Sequence, residues 1–121
     1  MIKLTFCLIR RPEFSREAFQ DYWLHTHGPL VASVREVLRI RRYVQLHTLT
    51  PDALFDPGAP RGAPPGYDGV AQLWWDSAAD LAVTQGDPAA AEAGRLLLED
   101  ERRFIDLARS PLWWGEEHVI F

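Results

Sequence analysis

The chain has 121 residues, of which 47% are hydrophobic and 25% charged, so its size and balance suit one globular domain over residues 1–121 with a single core. A formal charge of −4 with no basic stripe argues against a nucleic-acid partner. The lone Cys7 excludes an internal disulfide, and with no apolar run long enough for a membrane span and no secretory-signal pattern, a reduced, cytoplasmic setting without membrane contact is expected. Five tryptophans are many for this length and point to an aromatic cavity, a subunit interface, or both.

The first predicted element is a strand over residues 2–9, with Ile2, Leu4, Phe6 and Leu8 on one face and Lys3, Thr5, Cys7 and Ile9 on the other. Ser15 is placed to cap a helix beginning near Arg16. At the α-helical repeat, Phe19, Trp23, Thr26 and Leu30 form its apolar stripe with Tyr22 alongside, and Val34 and Val37 continue it. The helix is predicted to reach about Leu38 with a kink or restart at Gly28-Pro29, because Pro29 has no N–H for the carbonyl of His25.

A second strand lies within residues 40–49, with Tyr43, Gln45 and His47 on one face and Val44 and Leu46 on the other. Residues 50–67 hold five prolines and three glycines, a loop of a length that often covers a functional site. A third strand, residues 68–75, sets Val70, Gln72 and Trp74 opposite Ala71, Leu73 and Trp75. Ser77 starts a short helical piece, Asp87-Pro88 starts a long helix to about Arg109 with Leu97, Phe104 and Ala108 on its buried stripe, and a last strand falls in residues 111–121.

The order β-α-β-β-α-β predicts an α+β, ferredoxin-like fold, in which two helices cover one face of a four-stranded antiparallel sheet. The uncovered face is expected to carry Thr5, Cys7, Ile9, Tyr43, Gln45, His47, Val70, Gln72 and Trp74, partly buried by a second copy of the chain and otherwise lining a cavity.

Within YWLHTHGPL, residues 22–30, His25 and His27 are two positions apart and so project about 200° apart on a regular helix, which rules out joint chelation of a metal on one face. His25 points to solvent, and His27 lies at the edge of the apolar stripe one turn after Trp23. His27 is either a packed histidine that satisfies a carbonyl freed at Pro29 or a general acid–base. Tyr43 is expected to hydrogen-bond an enol or phenol, Gln45 and His47 to contact substrate, and Gln72 and Trp74 to anchor and stack on a flat ligand; the alternative for all of these is interface packing. Glu101, on the stripe of the last helix, is expected to reach water at its edge, the alternatives being a buried pair with an Arg and a catalytic acid. His118 with Glu116 and Glu117 lacks a third ligand, and no metal, phosphate-binding or nucleophile motif is present.

The segments PEFSREAFQDYWLHTHGPLV, DGVAQLWWDS and EEHVIF resemble the EthD family of the dimeric α+β barrel superfamily, over nearly the whole chain. The resemblance implies a homodimer with sheets packed face to face, a pocket between each sheet and its own first helix, and His27 as the pocket histidine. It also implies a cofactor-independent dehydratase, cyclase or isomerase acting on a small aromatic or polyketide-like metabolite, with neither metal nor cofactor needed. Joined to the reading of the residues themselves, this makes His27 and Tyr43 the expected catalytic groups and Tyr22, Trp23, Gln45, His47, Gln72 and Trp74 the expected substrate-binding ones. A non-catalytic binder of hydrophobic metabolites and a haem-dependent barrel enzyme are the other readings.

Overall fold

A computed structural model describes residues 1–50 and 54–121. Its elements are β1 (Ile2–Leu8), α1 (Arg16–Tyr22), a π-helical turn (Trp23–His27), α2 (Gly28–Ser33), β2 (Arg42–His47), β3 (Gly69–Trp75), α3 (Ala78–Gln85), α4 (Pro88–Phe104) and β4 (Leu112–Gly115). The strands form one antiparallel sheet in the order β2-β3-β1-β4, which is the ferredoxin-like arrangement. Among the described residues no helix is long and apolar enough to cross a membrane.

The predicted caps form. Ser15 Oγ accepts the Ala18 N–H at 3.1 Å, Ser77 Oγ that of Asp80 at 3.2 Å, and Asp87 Oδ1 that of Ala89 at 3.0 Å. Each satisfies one orphan donor of a helix start. A buried carboxylate ties these parts together: Asp68, just before β3, accepts from the Arg10 N–H at 2.8 Å, the Arg10 guanidinium at 2.7 Å and Arg16 at 3.0 Å. Burial alone would raise the Asp68 pKa, but these donors outweigh it and hold the group below its ordinary value.

Strand register decides what the helices cover. Leu4 pairs with Leu73 and Phe6 with Ala71, while Tyr43 pairs with Leu73, Gln45 with Ala71 and His47 with Gly69. Directly paired residues share a face, so Tyr43, Gln45 and His47 stand on the helix-covered side with Leu4 and Phe6. This corrects the expected uncovered face, which retains Thr5, Cys7, Val70, Gln72 and Trp74 and gains Val44 and Leu46. The physical reason is that β2 turns its polar edge toward the helix, where Gln45 joins the Gly28 N–H as a second donor to the Trp23 carbonyl, and its aliphatic edge outward.

The covered side packs Phe6, Leu8, Phe19, Trp23, Ala71, Phe104 and Ile105 into one cluster, and Val31, Ile40 and Trp75 into a neighbouring one. Helix α4 ends at Phe104, short of Arg109, because Ile105 returns to extended backbone and Arg10 bridges to it. Residues 54–67 of the long loop contain one short helical turn, Ala59–Arg61, ended by Gly62 in the left-handed conformation; the loop's residues 51–53 lie outside the described ones.

Candidate active site

The helix through YWLHTHGPL does not break at Pro29. Its backbone stays right-handed helical through Tyr22, Trp23, His27 and Gly28, and the Gly28 N–H reaches back five residues to the Trp23 carbonyl. Pro29 then sits in the first turn of α2, directly after the wide turn. The wide turn holds one residue more than an α turn, so the inward stripe advances by one position. It reads Phe19, Trp23, His27, Val31, all buried, whereas Thr26 is exposed. His27 therefore lies in the middle of the stripe, not at its edge, and His25 is exposed as expected. The helix ends at Ser33, and turns carry the chain to Arg39 at φ 59°, so the predicted continuation to Leu38 does not form.

Inside the protein His27 meets a partner from α4. His27 Nδ1 lies 2.7 Å from Asp100 Oδ2, and both residues are only 5% exposed. The other Asp100 oxygen accepts the Tyr22 hydroxyl at 2.6 Å, and Arg103 stands 3.6 Å from it at the surface. Phe104 packs against His27, Tyr22 and Phe19 with ring centroids 5.0–5.5 Å apart. Burial pulls the His27 pKa down and the Asp100 contact opposes it, with a net fall below the ordinary 6.5. The imidazole is thus neutral at neutral pH, with Nδ1–H donating to Asp100 and Nε2 left as a free base.

His27 forms part of the wall of a cavity of about 140 Å³ between the sheet and the helices. Leu4, Phe6, Leu73, Val31 and Leu97 supply apolar walls, and the ionisable side chains among the described lining residues are His27, Tyr43 and Glu101. Burial, with smaller effects from neighbouring groups, pushes the Tyr43 phenol up to about 12, so it remains a donor at neutral pH.

A polar chain on β2 orients that phenol. Gln45 Nε2 donates one hydrogen to the Trp23 carbonyl at 2.9 Å and the other to Tyr43 Oη at 2.8 Å. Its Oε1 is then the acceptor for His47 Nε2–H at 2.8 Å. Tyr43 Oη, having accepted from Gln45, keeps its own hydrogen for a ligand. The His47 ring stacks on Trp23 at 4.6 Å and 16°, and burial lowers its pKa. Trp23 can lie flat there because residue 69 is glycine: a Cβ at that position would meet the indole ring and come within 2.9 Å of the Leu46 carbonyl. Outside the cavity, Tyr43, Gln45 and His47 also face a surface groove of about 490 Å³ along Leu24, Gly28 and Pro29.

The structure thus gathers Tyr22, Trp23, His27, Tyr43, Gln45 and His47 on one side of the sheet, Tyr22 as a hydrogen-bond partner of Asp100. It sets Gln72 and Trp74 on the other side, away from His27, since alternate residues of β3 face opposite ways. Trp74 is buried there between Lys3 and Arg42, each within 5 Å of its ring, with its N–H donated to Glu117. Cys7 is buried on that same side, and none of the described residues 54–67 lines the cavity or the groove. Among the described residues no group of three or more His, Cys, Asp or Glu is placed to hold a metal.

Asp100 is absent from the sequence-based expectations, and Glu101, expected to reach water, is half-buried and also lines the cavity. The signal for Asp100 was present: it follows Leu97 by three residues and precedes Phe104 by four, the spacing of the buried stripe.

Residues 11–108 match the EthD domain family. The chain is 28% identical over 120 residues to the conidial pigment biosynthesis dehydratase EthD of Metarhizium robertsii, covering 95% of this chain and 81% of that protein. It is 27% identical over 124 residues to a decarboxylase of Claviceps purpurea, covering 97% and 84%. Among solved structures, an EthD family protein of Bacillus halodurans superposes with a TM-score of 0.62 at 19% identity, over 98% of this chain and all of that one. A dimeric ferredoxin-like protein of Bacteroides fragilis gives 0.57 at 11% identity, over 96% and 95%.

Proposed function

Since the chain belongs to the EthD family, we propose that it is an acid–base enzyme of the lyase or isomerase type that works without a cofactor on a small aromatic or polyketide-like metabolite, with His27 as its proton-transfer group. The observation that carries this reading is the buried His27–Asp100 pair beside an otherwise apolar cavity. A histidine needed only for packing has no use for a buried carboxylate on one nitrogen and a free lone pair on the other.

The chemistry follows from the protonation states. Neutral His27 takes a proton from a carbon next to a carbonyl through Nε2, and Asp100 stabilises the imidazolium that forms. The Tyr43 hydroxyl donates to the carbonyl oxygen as negative charge gathers there, where the apolar walls strengthen the bond. Gln45 and His47 position Tyr43, and Trp23 forms one wall for a flat ligand. The relatives named dehydratase and decarboxylase support a lyase.

Homodimerisation is part of the proposal. The uncovered sheet face exposes Leu46 at 57% and Trp113 at 51%, an apolar surface suited to a second copy, and a structural neighbour is described as dimeric.

The test is replacement of His27. His27→Ala is expected to lower turnover of an enolisable ketone by about 10²–10⁴-fold while the far-ultraviolet circular dichroism spectrum is kept. Full turnover in a folded variant removes the proposal.

A further inference from the structure

One carboxyl in the cavity has no part in the scheme so far. Glu101 follows Asp100 on α4, yet while Asp100 holds Tyr22 and His27, the Glu101 side chain makes no hydrogen bond or ion pair with any described residue and forms part of the cavity wall. This half-buried carboxyl shares about 140 Å³ with His27 and Tyr43. Burial first, and the adjacent Asp100 second, raise its pKa to about 7, so near neutral pH much of it carries a proton. His27 is held in the opposite state, as an unprotonated base. Two groups in one site whose surroundings push them into complementary states form an acid–base pair.

Charge narrows what can enter. Among the described lining residues there is no Lys or Arg, so a substrate carboxylate would lose its hydration beside Glu101, with Asp100 behind His27, and with no Lys or Arg to replace it. A neutral molecule escapes that cost. The volume is near that of a cavity that holds one benzene ring, about 150 Å³, so the reacting ring fits inside and the rest of a larger molecule extends toward the groove that also borders Tyr43.

We propose that Glu101 is the proton donor to a leaving hydroxyl, and that the site takes uncharged β-hydroxyketones and dehydrates them, in preference to decarboxylating a carboxylate; this rests on the acid–base reading of His27. In the first step the Cα–H bond breaks, His27 Nε2 gains the proton, and the electron pair moves onto the carbonyl oxygen held by Tyr43. In the second the carbonyl re-forms, a C=C bond forms as the Cβ–O bond breaks, and the hydroxyl leaves as water with the Glu101 proton. Return of the proton from His27 to Glu101 through that water restores both groups, and no oxidant or reductant is consumed.

Two probes separate this inference from the reading beneath it. Deuterium uptake at C2 of 1-tetralone from heavy water needs only the base and Tyr43. Conversion of 3-hydroxy-1-tetralone to 1-naphthol needs the acid as well. The wild type is expected to do both and His27→Ala neither. In Glu101→Gln the ratio of dehydration to exchange is expected to fall by about 10²-fold or more, the worth of a positioned acid. A Glu101→Met variant, uncharged and of similar volume, should show the same fall and covers the case in which the amide disturbs folding. The groups facing Glu101 are Asp100 on α4, His27 from the π turn and Tyr43 from β2, and wild-type dehydration should decline as pH rises past about 7, a limb absent from the residual activity of both variants. An unchanged ratio in the variants, or a wild type that exchanges but does not dehydrate, overturns the role of Glu101 and leaves that of His27 standing. Absence of exchange in the wild type overturns both. Faster formation of 1-naphthol from 1-hydroxy-2-naphthoate than from the hydroxyketone assigns the site to decarboxylation and overturns the preference.

Discussion

Asp100 makes two short hydrogen bonds with different consequences. The bond from Tyr22 joins α1 to α4, while the bond from His27 selects which imidazole nitrogen carries the proton. In Asp100→Asn an amide N–H facing Nδ1 would move the proton to Nε2 and block the base. Turnover is expected to fall by about 10²–10⁴-fold. Because Asp100 raises the His27 pKa against the stronger effect of burial, its loss should also move the acid limb of kcat/KM further below 6.5. A variant that lost only rigidity would leave that limb in place. Nitrogen chemical shifts of the His27 ring report the tautomer directly.

At the scale of elements, Gly69 permits the Trp23–His47 stack that backs the site. Gly69→Ala places a methyl against the indole and a carbonyl, and should cost about 1–3 kcal/mol of stability by overpacking, measured by urea denaturation, with a change in Trp23 fluorescence. The elements themselves were legible in the chain: alternation in β1, the caps at Ser15, Ser77 and Asp87, and the order of strands and helices each rest on local chemistry that a sequence displays. That His25 and His27 point opposite ways was legible too, since it needed only the helical repeat, whereas the place of His27 at the centre of the buried stripe depends on the π turn. The faces of β2 were not. Tyr43, Gln45 and His47 alternate with Val44 and Leu46, and only pairing with β3 tells which set meets the helices. Asp100 escaped for a related reason: a carboxylate at a buried-stripe position makes sense only once Tyr22 and His27 are seen across from it.

At the scale of the whole molecule, the two sheet faces divide the labour. The cavity with His27, Tyr43 and Glu101 lies on the helix side, and the opposite side presents Val44, Leu46 and Trp113. Leu46→Asp puts a charge on that apolar face and is expected to shift a dimer to monomer in analytical ultracentrifugation. Because the cavity lies on the helix-covered side of the sheet and Leu46 on the opposite face, the monomer should still bind 1-naphthol, which isothermal titration calorimetry can measure.

The π turn also bears on redesign and on ancestry. A library meant to reshape the binding wall should randomise positions 23 and 31 and keep His27, because a uniform helical ruler laid down from Trp23 would select Thr26 and spend diversity on the solvent side. A relative one residue shorter between positions 23 and 28 needs no compensating change elsewhere: the wide turn closes to an ordinary one, and the flanking segments keep their orientation.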